Sequence, residues 1–400
     1  MTISKCYRNA AVEKMSKKIL FLTSIPSPYQ VDFFNALQER VPNSFCAVFS
    51  TAQEADRQYY KVPDSFKFSA IILNYKIRKW GKDLHRNSEL VEVLRRENAD
   101  IIVVGGNYFM PDALSARKYC VQKGKQFYFW GEDPMKKRDR FWRRILKEKY
   151  LAWFLKPAKG VIGIGDEALS RYQRLAKMKP GANIPYSPDL STLLHPNQEV
   201  VTQAEELREI WGGGAAAVTI LYVGSLIPRK DPKTLIEGFA LVHENYPEAR
   251  LKLVGDGPMR KELEVLVAEK ELASKIEFLG FLRGNSLRAI YIASDIFVLP
   301  TIGHEGWGVV VQEALAAGLP IIASWRVGAA RDFLTQQEVG RLFCPGCAED
   351  LSENLSELIS LRHHWSKISL EAKKLVAATS SKTAAKRIVE FLESSGQSSI

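Results

Sequence analysis

Short apolar runs alternate with amphipathic stretches along most of the chain, and this alternation starts a second time in the second half. The apolar runs fall at residues 18–25, 44–50, 100–106, 126–131 and 160–165, and then at 218–225, 249–255, 275–280, 295–300 and 320–324. Runs of this length bounded by glycine are typical of buried parallel strands, and helical periodicity between them indicates βαβ units. We therefore predict an α/β fold in which two doubly wound domains follow one another.

A proline-rich stretch interrupts the alternation at residues 179–198, which read KPGANIPYSPDLSTLLHPNQ. Pro and Gly punctuate structure in this way at domain boundaries, and 400 residues are enough for two separate cores. We place an N-terminal domain at 1–195 and a C-terminal domain at 196–380. The last segment, 381–400, is amphipathic, and we expect its helix to pack back on the N-terminal domain.

The positive charge of the chain is concentrated in its first half. Residues 1–190 contain 34 Lys and Arg against 19 Asp and Glu, whereas the remainder contains 22 against 26. A net +15 beside a net −4 indicates that one half faces an anionic surface. We expect that surface to be a membrane and expect no nucleic-acid partner.

Residues 136–156 interleave Lys and Arg with Phe141, Trp142, Trp153 and Phe154. This pattern predicts peripheral, salt-sensitive binding to anionic lipid, with aromatic rings at the headgroup level. The alternative is that the aromatic rings pack on the sheet of the first domain while the cations are solvated. No apolar run is long enough to span a bilayer, no signal-peptide core is visible, and the five cysteines suit a reducing compartment. We expect a cytoplasmic protein at the inner face of the membrane.

The loops that follow the predicted strands of the second half carry most of the chemistry. In open parallel sheets, ligands bind beyond the carboxyl ends of the strands. Three of these loops are GSLIPRKD at 224–231, GDGP at 255–258 and LPTIGHEGWG at 299–308. We expect them to converge on one crevice that faces the first domain.

Glu305 and Glu313 are separated by seven residues, at the start of a predicted helix. Gly306 and Gly308 would let a ligand approach the backbone, and a helix N-terminus attracts a diphosphate. Glu313 lies about two turns further on, roughly on the same face, where a carboxylate could accept both hydroxyls of a ribose. The alternative is that Glu313 faces solvent and that Glu305 only complements the helix dipole.

Arg229 and Lys230 follow another strand, where cations could neutralise a diphosphate, although the pair taken alone favours a solvated surface pair. The chain contains no Asp-x-Asp, and so we expect no metal–diphosphate clamp and no metal or other cofactor. The absence of a Gly-x-x-x-x-Gly-Lys-Ser/Thr loop and of Gly-x-Gly-x-x-Gly after the first strand disfavours P-loop nucleotidases and dinucleotide dehydrogenases. Cys344 and Cys347 have zinc-site spacing without a second pair, and we interpret CPGC as a loop.

Residues 218–345 resemble the C-terminal domain of family-4 glycosyltransferases, through the segments 222–239, 251–263, 276–282, 295–324 and 339–343. The signature of that family is a Glu-x7-Glu pair, here Glu305 and Glu313. The resemblance implies the GT-B fold: two facing Rossmann-like doubly wound domains with a cleft between them. It also implies retaining, metal-independent transfer of a sugar from a nucleotide-sugar donor to a glycan or lipid-linked acceptor, in cell-envelope polysaccharide or glycolipid synthesis.

Position by position, the resemblance assigns roles to individual residues. Lys230 and Arg229 would neutralise the donor diphosphate, and Glu305 would contact the hydroxyls of the donor sugar, so that these three carry catalysis. Glu313 would hold the ribose. The other residues expected at the donor are Gly224, Ser225, Gly255, Gly257, Phe281 beside the base, His304 beside the sugar, and Gly306, Trp307 and Gly308 through their backbone.

Two positions depart from the family pattern. Ser225 follows Gly224 where many members have Arg, and residues 105–111 read GGNYFMP, with Asn107, where many members have a His. Glu132, at the end of another first-domain strand, is a candidate to replace that His. Two alternatives stay open: a nucleotide-sugar 2-epimerase with the same fold, and a catalytically inactive protein that binds nucleotide-sugars.

Overall fold

The computed structural model describes residues 16–52, 66–73, 87–133, 141–212, 217–335 and 338–397. These residues form two parallel sheets, each covered by helices on both faces. The strands of the first sheet are β1 (Ile19–Thr23), β2 (Phe45–Phe49), β3 (Ser69–Ile72), β4 (Ile101–Gly105), β5 (Gln126–Gly131), β6 (Gly160–Gly163) and β7 (Gly181–Asn183). Those of the second are β8 (Val218–Val223), β9 (Ala249–Val254), β10 (Ile276–Gly280), β11 (Ile296–Leu299), β12 (Ile321–Ser324) and β13 (Gly340–Phe343).

Helices fill the connections between these strands. In the first half they are α1 (Pro28–Arg40), α2 (Leu90–Glu97), α3 (Pro111–Lys123), α4 (Phe141–Leu155), α5 (Asp166–Leu175), α6 (Ser191–Leu194) and α7 (Gln198–Trp211). The second half contains α8 (Pro232–Asn245), α9 (Arg260–Glu269), α10 (Gly284–Ala293), α11 (Val309–Ala317), α12 (Gly328–Leu334), α13 (Ala348–Ser360), α14 (Trp365–Ala377) and α15 (Ser381–Gln397). No helix in the described ranges is both long enough and apolar enough to cross a bilayer.

Both sheets have the strand order of a Rossmann fold. The first runs β3-β2-β1-β4-β5-β6-β7 and the second runs β10-β9-β8-β11-β12-β13, with every neighbouring pair parallel. The order reverses between β1 and β4 and between β8 and β11, and ligands bind at such switch points. The prediction of two doubly wound α/β domains is confirmed.

Three short strands were missed by the sequence analysis, and all three are edge strands. They are β3, β7 and β13, each three or four residues long and partly exposed. An inner strand buries both faces and reads as a continuous apolar run, as the five buried residues of β1 do. An edge strand buries less, so its sequence carries a weaker signal.

The end of the chain returns to the first domain. Helix α15 packs against α1, and the hydroxyl groups of Tyr128 and Ser395 are hydrogen-bonded at 2.9 Å. The ring of Phe391 meets that of Tyr128 edge to face, with 5.9 Å between the centroids. Between the two sheets, α6 packs against α10 and α11, and α7 packs against α10. The chain therefore crosses between the two halves twice.

Candidate functional site

The loop after β8 places two cationic side chains, those of Arg229 and Lys230, beside the loop that follows β11. Asp231 is the N-cap of α8 in a left-handed conformation, with φ 52°, and its side chain accepts a 2.6 Å hydrogen bond from the Thr234 hydroxyl. This cap ends the loop directly after Arg229 and Lys230. The backbone N–H groups of Ile302 and Gly303 donate to the carbonyl oxygen of Arg229 at 3.1 and 3.2 Å. The two strand-end loops are thereby joined.

Glu305 accepts hydrogen bonds from both cations on one carboxylate oxygen. The distances to Oε2 are 2.5 Å from the Arg229 guanidinium and 2.6 Å from Lys230 Nζ. The side chains of Lys230 and Glu305 are only 12% and 16% exposed. Burial by itself would raise the pKa of Glu305, but the charges of Lys230 and Arg229 outweigh it and hold that pKa below its ordinary value. Glu305 is therefore ionised at neutral pH.

Helix α11 starts directly beyond this cluster. Its N-cap is Gly308, with φ 95°, and no side chain caps its first turn. A side chain is strained at that φ, and a methyl group on Gly308 would lie 2.9 Å from a methyl carbon of Val327. The first N–H groups of α11 and the two cations thus lie at the end of the same strand, β11. This is the combination that binds a diphosphate.

Glu313 lies about one turn into α11, where it accepts a 2.9 Å hydrogen bond on Oε2 from the Tyr291 hydroxyl of α10. The prediction that it lies two turns into the helix is wrong, because α11 begins at Val309 and Glu305 precedes it. Burial raises the pKa of Glu313, while the Tyr291 hydroxyl and the Arg288 guanidinium act in the opposite direction. Asp32 of α1, in the first domain, adds to the increase. Glu313 is therefore hydrogen-bonded and only partly exposed, and Glu305 is paired with two cations. The alternative that Glu313 faces solvent while Glu305 only complements the helix dipole is wrong.

Three predicted glycines let backbones pack closely. A methyl group on Gly255, at φ 130°, would lie 2.0 Å from the carbonyl oxygen of Gly224, and one on Gly257 would lie 2.4 Å from that of Leu226. The loops after β8 and β9 are stacked in this way at the edge of the cleft. Ser225 is exposed between them, and its carbonyl oxygen accepts a 2.9 Å hydrogen bond from the Tyr222 hydroxyl. Phe281, directly after β10, is half exposed.

Comparison with known proteins identifies this half of the chain. Residues 203–395 match the model of the family described as Glycosyl transferases group 1. We call the part of the chain that matches this model the group 1 domain. Sulfoquinovosyl transferase SQD2 of Arabidopsis thaliana is 32% identical over 161 residues, which are 39% of this chain and 30% of SQD2. Phosphatidyl-myo-inositol mannosyltransferase of Mycobacterium leprae is 30% identical over 165 residues, which are 41% of this chain and 43% of that protein.

Solved structures extend the similarity to both domains. HepE of Anabaena in complex with UDP has a TM-score of 0.74 at 18% identity, covering 94% of this chain and 100% of the HepE chain. HepE in complex with UDP-glucose has a TM-score of 0.68 over the same shares. At this identity the likeness shows the fold, which is GT-B. The chain spans less than half of the length of the two curated relatives.

Trp307 of the group 1 domain is part of the domain interface. Its indole is buried, donates a 2.8 Å hydrogen bond to the Gln312 side chain and packs edge-on against Phe333. A methyl group on Gly165, at the start of α5 in the first domain, would lie 3.1 Å from the indole. Any contact of Trp307 with a donor is therefore left to its backbone, as the sequence analysis expected of this position.

The first domain meets the same loop with the residues that follow β5. A methyl group on Gly306 would lie 1.8 Å from Glu132 Oε2, so this carboxylate lies directly against the Gly306 backbone. His304 forms a hydrogen bond with the Asp133 backbone, and burial lowers the pKa of His304. Asn107 lies elsewhere, in a small pocket at the switch point of the first sheet that also contains Ser24, Ser50 and Asp112.

A second set of contacts between the domains was not predicted. The N–H of Asp166 at the start of α5 donates to Asp332 Oδ2 on α12 at 2.9 Å, so the group 1 domain caps a helix of the first domain. Arg331 and Glu167 form an ion pair at 2.7 Å beside it. Burial raises the pKa of Asp332 to about 6. No local pattern marks these residues, because each depends on a partner more than 140 positions away.

Proposed function

We propose that this protein is a glycosyltransferase that moves a sugar from a nucleotide-sugar donor to a glycan or lipid-linked acceptor. The observation that carries the proposal is the cluster of Arg229, Lys230 and Glu305 just before the start of α11, with Glu313 about one turn into that helix. It offers two cations and the N–H groups of the first turn of α11 to a diphosphate, and a partly buried carboxylate to a ribose. The complexes of HepE with UDP and UDP-glucose support a nucleotide-sugar as the donor.

The leaving group is the main chemical problem of this reaction. The bond between the anomeric carbon and the diphosphate oxygen breaks, and its electron pair remains on the diphosphate. Lys230 and Arg229 would stabilise that charge from positions that are fixed before the reaction begins. In the described structure the same two cations form hydrogen bonds with Glu305, so this carboxylate lies beside the proposed position of the donor diphosphate.

We further propose that transfer retains the configuration of the anomeric carbon and needs no metal ion, as the family resemblance implies. The charge that a metal would otherwise neutralise is assigned to Arg229, Lys230 and the N–H groups of α11. The acceptor would enter from the first domain. A role in cell-envelope polysaccharide or glycolipid synthesis agrees with the name of one curated relative, the phosphatidyl-myo-inositol mannosyltransferase.

The first experiment is a thermal-shift screen of nucleoside diphosphates. A ligand at a hundred times its dissociation constant adds about 2.7 kcal/mol to the stability of the fold, which is easily measured. Turnover of the matching labelled nucleotide-sugar, with and without acceptor, follows. Conversion of donor alone to its 2-epimer would favour an epimerase. Tight binding with no turnover under any condition would favour an inactive binding protein.

Helix α4 is the element that would hold the enzyme at a membrane. The first six residues of α4 are all exposed, with Phe141 at 72%, Trp142 at 51% and Leu146 at 59%. Arg143 and Arg144 lie among them. Phe154 is buried in the domain core, so the alternative that the aromatic rings pack on the sheet holds for this residue but not for Phe141 or Trp142.

An exposed apolar and cationic helix face fits anionic lipid, because each closely placed Arg contributes about 1 kcal/mol and aromatic rings enter the headgroup region. We propose peripheral binding of α4 to the inner face of the cytoplasmic membrane. Residues Lys136, Lys137, Arg138 and Arg140, which the sequence analysis included in this surface, lie outside the described residues.

Vesicle sedimentation at low and high salt tests the membrane proposal. We expect wild-type protein to bind anionic vesicles at low salt, and the double change Arg143→Gln, Arg144→Gln to weaken that binding. The double change Lys367→Gln, Lys374→Gln removes two exposed cations from the group 1 domain and should leave binding unchanged. If both double variants lost the same amount of vesicle binding, or if binding did not depend on salt, electrostatic attachment through α4 would be contradicted.

A further inference from the structure

The loop after β5 brings a first-domain carboxylate to the reacting end of the proposed donor site. Glu132 directly follows β5, and a methyl group on Gly306 would lie 1.8 Å from its Oε2 and 2.3 Å from its Cδ. Gly306 is the neighbour of Glu305, whose carboxylate is held by Arg229 and Lys230. Only a residue without a side chain leaves room at position 306 for this carboxylate.

The backbone around Glu132 is fixed from several sides. The Tyr172 hydroxyl donates a hydrogen bond to the Glu132 carbonyl oxygen. The next residue, Asp133, is buried and is held by the Arg171 guanidinium in a two-bond fork of 2.6 and 3.3 Å. His304, from the opposite loop, hydrogen-bonds to the Asp133 backbone. A strand end anchored in this way fixes the backbone from which the Glu132 side chain extends, and a group that acts on a transition state requires such positioning.

We infer that Glu132 contacts the donor sugar from the first-domain side and stabilises the positive charge that develops on it. The inference rests on the proposed glycosyl transfer. In that reaction, with retention, the acceptor hydroxyl approaches the anomeric carbon on the same face from which the diphosphate leaves towards Arg229 and Lys230. The acceptor enters from the domain that carries Glu132. A fixed carboxylate at this junction stabilises a cationic sugar more than the neutral donor, and so it lowers the barrier.

The atoms of this step balance without a further reactant. The carbon–oxygen bond to the diphosphate breaks and leaves its electron pair on the diphosphate. The acceptor hydroxyl oxygen forms the new bond to the same carbon, and its proton passes to a diphosphate oxygen. Glu132 forms no covalent bond in this step and transfers no proton. Its role is to oppose the positive charge of the sugar while both bonds are partly formed.

A simpler role for Glu132 would be to hold the two domains together, and a matched control separates the two roles. Glu167 is also a first-domain glutamate that reaches the second domain, through its 2.7 Å ion pair with Arg331. It contacts α12 rather than the loop at 304–308. Loss of Glu167 therefore weakens the domain interface without removing a carboxylate from the proposed sugar site.

The test compares Glu132→Gln, Glu132→Asp and Glu167→Gln with wild-type protein. Steady-state kinetics use a nucleotide-sugar that the wild-type protein turns over, and calorimetry gives the affinity for the free nucleoside diphosphate. We expect Glu132→Gln to lower kcat by about 100-fold, the worth of one preorganised charge contact, with nucleoside diphosphate affinity within about twofold of wild type. Glu132→Asp should recover part of the loss, and Glu167→Gln should keep kcat within about threefold. Thermal unfolding of each variant checks that it is folded.

Each outcome decides between the interpretations. Wild-type kcat in Glu132→Gln, or a loss of kcat in Glu167→Gln of the same size, would overturn the assignment while leaving the glycosyltransferase proposal intact. A parallel loss of nucleoside diphosphate affinity in Glu132→Gln would make Glu132 a structural residue. Wild-type protein that binds no nucleoside diphosphate and converts no nucleotide-sugar would overturn both proposals together.

Discussion

Replacement of Lys230 by Ala would remove one of the two cations that hold Glu305. Lys230 Nζ lies 2.6 Å from Glu305 Oε2, and both side chains are largely buried. Removing one partner of a buried ion pair costs about 3–5 kcal/mol when the other charge is left alone. Arg229 would stay hydrogen-bonded to the same oxygen at 2.5 Å. We therefore expect a smaller loss of folding free energy, about 1–2 kcal/mol.

The loss in the chemical step should be larger than the loss in stability. A preorganised contact to a developing negative charge is worth about 2.7–4 kcal/mol, which corresponds to a factor of about 100–1000 in kcat. Arg229 cannot replace this contact fully, because it is much more exposed than Lys230 and is therefore more strongly screened by water. We expect Lys230→Ala to lower kcat by two to three orders of magnitude.

Release of nucleoside diphosphate at saturating donor measures kcat, and urea unfolding measures stability. Lys233, in the first turn of α8, is a matched control, because it is 49% exposed and lies 3.9 Å from Glu237. Surface pairs of this kind contribute about 0–1 kcal/mol, so Lys233→Ala should change neither quantity noticeably. Near wild-type turnover of Lys230→Ala at saturating donor would remove Lys230 from the mechanism.

Three further predictions concern binding, metal ions and pH. Glu313→Ala should mainly weaken nucleoside diphosphate binding, whereas Glu305→Gln should lower kcat more than it weakens binding. If calorimetry shows that both variants lose the same affinity for the free nucleotide, this division of roles is contradicted. Turnover should survive excess EDTA, and a requirement for added Mg²⁺ or Mn²⁺ would contradict the assignment of diphosphate charge to Arg229 and Lys230. Burial raises the pKa of Asp332 from 3.8 to about 6, so its contribution to stability is lost as pH rises through about 6. The Tm of Asp332→Asn relative to that of wild type should therefore be higher at pH 7 than at pH 5. The same difference in Tm at both pH values would count against the raised pKa.

Local sequence determined the fold class and the inner strands of both sheets. A buried parallel strand must be apolar on both faces, and such strands end at Gly or Pro where the chain turns into a helix. This is why β1, β4, β8 and β11 could be predicted with their bounds nearly correct. The edge strands β3, β7 and β13 could not, because they are only three or four residues long and half-exposed positions accept many residue types. The longer edge strand β10 was predicted.

Part of the candidate site was also predictable. Strands that are parallel in one sheet end at the same edge, so Arg229, Lys230 and Glu305 had to lie near one another once their strands were recognised. The seven-residue spacing of Glu305 and Glu313 was interpreted as two helical turns, but α11 begins only at Val309, so Glu305 lies before the helix. The ion pairs of Glu305 with Arg229 and Lys230 follow from the topology, although the separation of 75 positions between Lys230 and Glu305 hides them from any local pattern.

Only the tertiary structure decided which first-domain residues reach the group 1 domain. From the sequence, Glu132 was the candidate to replace the missing His, and Asn107 lay in the segment where many family members carry that His; each follows a strand of the first sheet. The structure brings Glu132 to Gly306 and leaves Asn107 in a separate pocket. The physical reason is that strand order within a sheet follows from connections along the chain. The way the two domains pack against each other depends instead on residues far apart in sequence. Trp307 packs against Gly165, and Asp332 accepts a hydrogen bond at the start of α5.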